Sequence, residues 1–583
     1  MEGKLVIAVD FGTTYSAVGY AFVPDGADPS SVPLKIIDSD WPGQGRRTSH
    51  KIPTVFTLGT RGFRYGFQVK DDPERVCFAK LFLDPSQLKQ AVNLARFAEA
   101  SENHSPVIIA VGVTRYLRAL RERALQCIGD DAVGKPWAPE YVLSVPAMWS
   151  DQAKDRTLHC AFDAGYGIRG DESSIRLVLE PEAAAIYTVT SLPNCSFEVN
   201  DVFVVCDAGG GTVDLATYRI TALSPNLRVE EAAVGSGDIC GSVMLNRRFL
   251  NLVEQRIGPM GAGYVQDLDD EFNNEIKPWF TGDDTIYTVQ VDPAIPDDPA
   301  KGLQNGGLVI TGDDLREVFD TVVRKIVDLL REHVTTTRSF QGIQKLRILL
   351  VGGFGSNEYL KTNISDVFQD CEVLQPPDAW SAVVRGALKR SMVKKRKIRA
   401  AYGVLCRMPW SADHEEGGKY AQYMRPEFKV RDMLEDRWKC NNHMEWYVKK
   451  GDEFSNAKVV SFPFYYNVGI NSRFKFEFTL WAYLEGWEND DPPPFKDSGT
   501  NYTQYTTRSI TTCIIDLSNI PKSEFEEKYS PTGEAYYKVS YTLEMSFDTT
   551  IIFKLRHNGK LYGNVDVEYL DAMSHGYGGE RRV

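Results

Sequence analysis

Several common motifs of metal, disulfide and nucleotide sites are missing from this sequence. Its ten cysteines are scattered, and no two of them form a C-x-x-C pair. The sequence therefore predicts neither a zinc site nor a disulfide framework. It also has no G-x-x-x-x-G-K-[ST] phosphate loop, no G-x-S-x-G nucleophile elbow and no H-E-x-x-H metalloprotease motif. Any phosphate chemistry must therefore use a different kind of turn.

Positive charge and long apolar runs are also scarce. The sequence has 66 Lys and Arg residues and 79 Asp and Glu residues, which gives a formal net charge of −13. A surface of that sign repels phosphate backbones, so we expect no nucleic acid partner. No run of 18 or more apolar residues occurs, so we expect no membrane partner either.

The predicted setting is cytoplasmic, with a nuclear one as the alternative. Met1–Asp10 holds only one short apolar run, which is too short for a secretory signal. The basic run Lys394–Lys397 is compatible with nuclear import, although a solvated domain junction is the simpler interpretation.

A strand, a polar turn and a returning strand occur twice in the chain. The recurrence predicts a duplicated architecture. The first copy reads Leu5–Asp10, Phe11–Tyr15 and Ser16–Phe22, and the second reads Val202–Val205, Asp207–Thr212 and Val213–Ile220.

These turns have the composition of a phosphate site. Backbone N–H groups at glycine-rich turns form concave anion sites, and glycine allows close approach of phosphate. Thr13, Thr14 and Thr212 add hydroxyl donors. One such turn alone would usually be an ordinary hairpin. The pair, with Gly352-Gly353 after a third apolar strand, instead predicts a site for a phosphorylated ligand.

Acidic residues at the same turns predict a metal. Asp10 and Asp207 stand at equivalent strand ends, where they could hold a hydrated Mg²⁺ between them. Asp214 could orient a water molecule. Lys80, taken alone, would be interpreted as a solvated surface lysine.

Domain organisation follows from a change in periodicity. Alternating strands and helices over residues 1–390 indicate an α/β domain, in which Thr311 and Asp314 predict a helical capping box. A basic linker is predicted over 391–401. Period-two alternation dominates 402–583, where Asn558-Gly559 predicts a hairpin. This half is predicted to be a β-sandwich or barrel without a helical lid.

Three segments resemble those of a known superfamily. Val6–Tyr20, Val202–Tyr218 and Ile348–Ser356 resemble the two phosphate segments and the adenosine segment of the actin, hexokinase and heat-shock-protein-70 superfamily. Tyr141–Ala147 and Leu179–Ala185 resemble the seventy-kilodalton chaperones in particular. The resemblance covers roughly residues 4–390. It implies a two-lobed, actin-like ATPase domain with a duplicated ribonuclease-H-like fold, followed by a smaller β-sandwich domain.

The resemblance also implies roles for individual residues. Lys80 would steady the γ-phosphate, while Glu180, Asp207 and Thr212 would act on the attacking water and the hydrated Mg²⁺, supported by Asp214. ATP or ADP would be bound by Gly12, Thr13, Thr14, Tyr15, Gly209, Gly210, Gly211, Thr212, Asp214, Lys277, Gly352, Gly353, Ser356 and Asp378.

The adenosine side departs from the family pattern. The family places adenine between two arginines, whereas this sequence has Asn274–Trp279 in the first region and Ser356 at the second position. Lys277 would reach the ribose. Trp279 would either stack on the base or be a buried structural residue.

Three functional hypotheses follow from this resemblance. The first is a chaperone-like ATPase whose nucleotide state controls binding of polypeptide clients by the β-domain, with co-chaperones as further partners. The second is a nucleotide-dependent scaffold or sensor with little or no hydrolysis, which the altered adenosine side favours. A small-molecule kinase ranks last, because the segments containing Pro146 and Glu180 resemble the chaperones.

Overall fold

A computed structural model divides the chain into two compact units, Met1–Val393 and Lys394–Val583. The structure describes residues 3–24, 32–39, 41–45, 48–59, 62–69, 72, 74–84, 105–131, 139–168, 174–192, 195–223, 227–339, 343, 345–389, 393–398, 400–410, 426–455, 459–483, 507–547, 551–564 and 566–569.

The first unit is a mixed α/β structure with several sheets. Its strands are β1 Gly3–Phe11, β2 Tyr15–Pro24, β3 Lys35–Ile36, β4 Ile52–Pro53, β5 Phe56–Thr57, β6 Arg75–Val76, β7 Pro139–Val145, β8 Ile175–Leu179, β9 Val202–Ala208, β10 Val213–Ala222, β11 Arg228–Asp238, β12 Tyr287–Gln290, β13 Leu303–Gln304, β14 Gly307–Ile310, β15 Leu346–Val351 and β16 Glu372–Leu374. Its helices are α1 Pro106–Asp131, α2 Asp151–Asp163, α3 Glu180–Ser191, α4 Val243–Ile257, α5 Ala262–Glu271, α6 Gly312–Arg338, α7 Glu358–Val367 and α8 Ala382–Leu388.

Two sheets of the first unit repeat one strand order. The first sheet runs β3-β2-β1-β7-β8, and the second runs β11-β10-β9-β15-β16. In each sheet an antiparallel hairpin, β1–β2 or β9–β10, has a parallel strand, β7 or β15, beside its first strand. The two polar turns therefore occupy the same place in their respective sheets.

Two helices pack tightly between the repeated sheets. Alanines of α3 and the small residues of α8 share a buried core with β1, β9 and β15. A Cβ atom on Gly386 would lie 1.7 Å from the carbonyl oxygen of Ala183, so only glycine permits this approach of the two helices. Small residues in both helices thus set the spacing of the sheets, and with it the spacing of the turns.

A helix cap predicted from the sequence is present in the first unit. The capping box at the start of α6 is confirmed, because the Thr311 side chain accepts from the N–H of Asp314 at 3.3 Å and Asp314 accepts from the N–H of Thr311 at 2.8 Å. No helix in the described part of the chain has the combination of length and apolar sequence that crossing a bilayer requires.

The second unit is built from antiparallel strands. They are β17 Val393–Lys397, β18 Ala401–Pro409, β19 Lys429–Asp432, β20 Arg437–Val448, β21 Glu453–Ser455, β22 Val459–Gly469, β23 Lys475–Tyr483, β24 Thr507–Asp516, β25 Glu526–Tyr529, β26 Ala535–Phe547, β27 Ile551–His557, β28 Lys560–Asn564 and β29 Asp566–Tyr569. One sheet runs β19-β20-β18-β23-β24-β29, and another runs β22-β26-β27-β28 with β25 on β26. Buried side chains from both sheets form one apolar cluster.

The hairpin at Asn558-Gly559 is confirmed, since β27 pairs with β28 across it and both turn residues have positive φ, 48° and 80°. Within 391–401, where we predict a linker, Val393–Lys397 forms β17, and Lys395–Lys397 pairs with Glu453–Ser455 of β21. Positions 391, 392 and 399 lie outside the described residues. The helical turns in the described part of this unit are the short segments Pro426–Phe428 and Lys522–Glu524.

Candidate nucleotide-binding site

The two polar turns touch each other although they are far apart in sequence. A Cβ atom on Gly210 would lie 2.1 Å from the Thr14 hydroxyl oxygen, and one on Gly211 would lie 2.6 Å from Thr13 Cγ2. Within the first turn, a Cβ atom on Gly12 would lie 2.1 Å from the carbonyl oxygen of Tyr15. Glycine is therefore required both to close the first turn and to bring the second turn against it.

The start of α4 orients the peptide groups of the second turn. The N–H groups of Gly241, Ser242 and Val243 donate to the carbonyl oxygens of Gly211, Gly209 and Gly210 at 3.1, 3.1 and 2.9 Å. In a planar trans peptide the N–H points opposite to the carbonyl. The N–H groups of residues 210–212 therefore point away from α4, which is the arrangement of an anion-binding turn.

Carboxyl groups are concentrated beside the turns. Asp10 accepts from the Ser144 hydroxyl at 2.9 Å and from the Lys51 ammonium at 3.4 Å. Asp214 accepts from the backbone N–H of Met148 at 3.3 Å. Burial raises the pKa of Asp207, and the charges of Asp214 and Asp10 raise it further, while Lys51 opposes the shift.

This set of donors fits a hydrated magnesium ion. Asp10, Asp207, Asp214 and Glu180 are all buried and are within electrostatic range of one another. Among the described residues, no three ligand atoms of this group lie within 4.8 Å of one another. Magnesium commonly keeps several waters and uses only one or two carboxylates, so carboxylates that are spread apart suit it.

Lys80 and Glu180 form a buried ion pair. The Lys80 ammonium donates to Glu180 Oε1 at 2.5 Å, and its side chain is only 2% exposed. It also lies 5.3 Å from the ring centroid of Trp149 and 5.9 Å from that of Phe11. Burial raises the pKa of Glu180 despite the opposing charge of Lys80. The interpretation of Lys80 as a solvated surface residue is therefore wrong, because its side chain is buried beside Phe11 of β1 and Trp149.

The third glycine turn packs directly on the second carboxylate. Gly352 has a φ of +86°, and a Cβ atom there would lie 2.4 Å from Asp207 Oδ1. Its N–H donates to the carbonyl of Ala379 at 3.0 Å. Gly353 is exposed, and no atom lies within 4 Å of the position of its Cβ. Only the first glycine of the pair is thus fixed by its surroundings.

Lys277 is held by neutral side chains. Its ammonium donates to Asn273 at 2.5 Å, to Asn246 at 2.8 Å and to Ser242 at 3.4 Å. Burial lowers the pKa of Lys277 to about 8. Asn273 also donates to the Tyr15 hydroxyl at 3.3 Å. A chain of polar contacts therefore connects the first turn with Lys277.

The remaining candidates do not converge on the two glycine turns. The Ser356 hydroxyl donates to the carbonyl of Gly353 at 2.7 Å and is exposed to solvent. Asp378 accepts from the Tyr187 hydroxyl at 3.2 Å and lies 3.5 Å from Arg385. Trp279 is 73% exposed, so its alternative interpretation as a buried structural residue is wrong.

Sequence reasoning missed several residues of the site. Lys51, Ser144 and Met148 contact its carboxylates. Ser144 lies in the segment Tyr141–Ala147, which the sequence singled out without giving this residue a role, and no motif identifies Lys51 or Met148. Asn273 was detectable in principle, because it stands four residues before Lys277 on a helical segment and so shares its face. Asn246 lies on a separate helix, α4, and only the fold brings it to Lys277.

Comparison with known proteins identifies the relatives. No family model matches the chain. It is 23% identical over 510 residues to Heat shock 70 kDa protein 12A of Mus musculus, covering 69% of this chain and 72% of that protein. It is 24% identical over 503 residues to Heat shock 70 kDa protein 12B of Homo sapiens, covering 69% of this chain and 71% of that protein. A Chaperone protein HscA homolog of Ralstonia nicotianae is 25% identical over 388 residues, covering 63% of this chain and 55% of that protein. Together with the paired glycine turns, these similarities support a divergent heat-shock-protein-70-like protein.

Proposed function

We propose that the chain is an ATP-binding, slowly ATP-hydrolysing, chaperone-like protein, in which the nucleotide state controls polypeptide binding by the second unit. We also propose that the first unit has the duplicated, actin-like architecture, and that the second is a β-sandwich corresponding to a reduced substrate-binding domain. The repeated strand order of the two sheets supports the first assignment. The apolar cluster shared by two antiparallel sheets supports the second.

One observation carries the hydrolytic part of this proposal. A buried lysine, Lys80, donates to a buried glutamate, Glu180, beside a cluster of aspartates and two glycine turns. Charged groups are seldom buried for stability alone, because their desolvation offsets most of the attraction between them. Such groups are common where a protein stabilises charge that develops in a reaction.

The residues around the two glycine turns suggest a separate role for each group. N–H groups of the second turn and hydroxyls of Thr13 and Thr14 would bind the phosphate oxygens. Lys80 would stabilise charge on the γ-phosphoryl group, and Glu180 would orient the attacking water and accept its proton. Because burial raises its pKa, Glu180 ionises closer to neutral pH, where a general base is most effective. Bound Mg²⁺, held through water by Asp10 and Asp207, would neutralise phosphate charge.

Single-turnover hydrolysis tests the ATPase. Excess protein is mixed with labelled ATP and Mg²⁺, and bound nucleotide and released phosphate are followed for the wild type and Lys80→Met. Lys439→Met is a matched control, because Lys439 is also buried and paired, at 2.8 Å from Asp432, but lies in the second unit. We expect hydrolysis to be lost in Lys80→Met and retained in Lys439→Met. Equal rates in all three proteins would contradict the assignment of Lys80.

Coupling to polypeptide is tested separately. The affinity of the full chain for a labelled unfolded polypeptide is measured with ATP, with ADP and without nucleotide, each in the presence of Mg²⁺. We expect weaker binding with ATP than with ADP. Equal affinities would contradict the proposed coupling but not the proposed ATPase activity. The effect of co-chaperones on the turnover rate is then a second measurement on the same protein.

A nucleotide sensor without hydrolysis remains the second candidate. The observation that favours it is the adenosine side, where Lys277 already has three oxygen partners and Ser356 is bonded to its own turn. A site filled by its own side chains binds adenosine differently from the family pattern. ATP that stays bound and intact in the wild type, with no phosphate released after many hours, would decide for the sensor.

We propose a cytoplasmic location, with nuclear import through Lys394–Lys397 as the alternative. Alanine replacement of these four residues tests it by microscopy of a tagged chain. A nuclear fraction that falls after the replacement would support import.

A further inference from the structure

The second unit brings together three potential metal ligands from two neighbouring strands. Cys406 of β18 stands opposite His443 of β20 in the antiparallel register, and Val404 stands opposite Glu445. Side chains two residues apart on a strand lie on the same face of the sheet. The thiol, the imidazole and the carboxylate therefore share one face, at the edge of the apolar cluster that contains Val404.

The spacing of these atoms suits a small tetrahedral ion. The candidate ligand atoms of Cys406, His443 and Glu445 all lie within 4.8 Å of one another. His443 Nε2 and Glu445 Oε2 are 3.6 Å apart. Bonds of about 2.0–2.3 Å to zinc at tetrahedral angles place neighbouring ligand atoms roughly 3.3–3.6 Å apart. Small side-chain rotations would close the set around an ion.

Burial varies across the set in the way that a binding site requires. His443 is buried and Cys406 is half-buried, which fixes their positions, while the Glu445 side chain is 57% exposed and opens to solvent. Tyr447 stands two residues after Glu445 on β20. Among the described residues, the buried Tyr447 hydroxyl has no hydrogen-bond partner. A water molecule on a bound ion would give it one.

We propose that Cys406, His443 and Glu445 form a zinc site whose fourth coordination position is open to water. A set of one thiolate, one imidazole and one carboxylate favours zinc over magnesium or calcium, which prefer oxygen ligands alone. On binding, a zinc–sulfur bond replaces the S–H bond of Cys406, and the proton leaves to solvent. The absence of a C-x-x-C pair hides this site in the sequence, because its ligands come from two strands.

The position of the site gives it a structural consequence. The register of the β18–β20 ladder shifts between Cys406 and Met408, next to the ligands. Asn442, beside His443, has a φ of 59°, which is unusual for a residue other than glycine. An ion bound to both strands would hold this irregular part of the ladder together.

Cobalt binding by the full chain tests the proposal. The protein is stripped with a chelator and titrated with Co²⁺, which reports a thiolate ligand by near-ultraviolet charge-transfer absorption, and then with Zn²⁺ in competition. We expect one equivalent of Co²⁺ with that absorption, displaced by Zn²⁺. We expect Cys406→Ala to lose the absorption and Glu445→Gln to bind at least tenfold more weakly.

Matched variants separate the site from general metal binding. Cys195→Ala removes another half-buried thiol, and Glu524→Gln removes a carboxylate that faces a histidine, His557, at 3.7 Å without belonging to the set of three. Both should bind Co²⁺ as the wild type does. No equimolar binding by the wild type, or unchanged charge-transfer absorption in Cys406→Ala, would overturn the site. If Cys406→Ala fails to fold, the exposed Glu445 still allows Glu445→Gln to decide, and equal affinity in that variant counts against the site.

Discussion

Replacing the Lys80–Glu180 pair by a neutral pair separates stability from hydrolysis. Three variants are compared with the wild type: Lys80→Met, Glu180→Gln and the double variant. Methionine keeps most of the volume of the lysine stem, and glutamine has the shape of glutamate, so packing changes little. The pair is suitable because the Lys80 side chain is 2% exposed and that of Glu180 is 10% exposed.

Lys80→Met leaves a buried carboxyl group without its cation. Breaking a buried ion pair in this way costs about 3–5 kcal/mol. The variant can limit that cost by keeping Glu180 protonated, but this becomes harder by about 1.4 kcal/mol for each pH unit. Burial already raises the pKa of Glu180 in the wild type, and loss of Lys80 raises it further. The free energy of unfolding should therefore differ little near acid pH and fall increasingly below the wild type as pH rises.

The double variant carries no charge at either position. Its stability should recover most of the loss, and its pH dependence relative to the wild type should reverse, because no carboxyl remains to be deprotonated. Hydrolysis should not recover, since neither side chain can now stabilise the γ-phosphoryl charge or accept a proton. Loss of one preorganised electrostatic partner typically lowers turnover by about 10²–10³-fold.

The assay must report on the first unit alone. Urea titrations at several pH values are read by pulsed hydrogen exchange into peptides from β1 and β7, so that unfolding of the second unit does not contribute. Phosphate release in a single turnover is measured on the same samples. A cost for Lys80→Met below about 1 kcal/mol at every pH would refute the buried pair. Wild-type hydrolysis by the double variant would refute its catalytic role.

Three further predictions follow from individual contacts. Gly352→Ala should lower the free energy of unfolding by about 1–3 kcal/mol and weaken ATP binding, because it forces a side chain into a positive φ against the Asp207 carboxylate. Gly353→Ala should change stability little, because no atom lies near its Cβ position. Thermal midpoints and ATP titrations compare the two variants. Since burial raises the pKa of Asp207 to about 7, the nucleotide-free chain should lose stability as pH rises from about 4 to 7, and Asp207→Asn should flatten that slope in thermal scans. Burial lowers the pKa of His333 to about 4, so the free energy of unfolding should fall by up to roughly 3 kcal/mol as pH drops from about 6.5 to 4. In His333→Gln, the urea midpoint of unfolding should not fall over this pH range for that reason.

The two glycine turns were accessible from the sequence because their signal is local. The turns at Gly12–Tyr15 and Gly209–Thr212 each combine glycine, threonine and a preceding aspartate within a few residues. The surroundings of Lys277 were not accessible, because its partners come from separate elements. Asn246 reaches Lys277 from α4, and nothing in the periodicity of that helix distinguishes it.

The burial of individual side chains was the other property that could not be predicted from the sequence. Lys80 stands in a short helical turn, where a lysine is usually solvated, and only the packing of Phe11 and Trp149 encloses it. Trp279 shows the opposite case, since a large aromatic residue is exposed. Long-range packing decides both cases, and local pattern carries no information about it.

The repeated sheets explain why the two sides of the site differ. Each sheet has a long insertion between the third strand of its repeat and the parallel strand, β3 to β7 in one and β11 to β15 in the other. Lys80 lies in the first insertion and Lys277 in the second. Lys80 faces a carboxylate, Glu180, which follows β8, whereas Lys277 faces neutral amides and a hydroxyl. In the second sheet the residue near the equivalent strand end, Asp378, is bonded to Tyr187 and Arg385 instead. The repeat thus gives both halves the same glycine turns, while the hydrogen-bond partners of the two lysines differ in charge. Under the proposed function, substitutions around Lys277 should therefore change nucleoside recognition without altering the groups that we assign to hydrolysis.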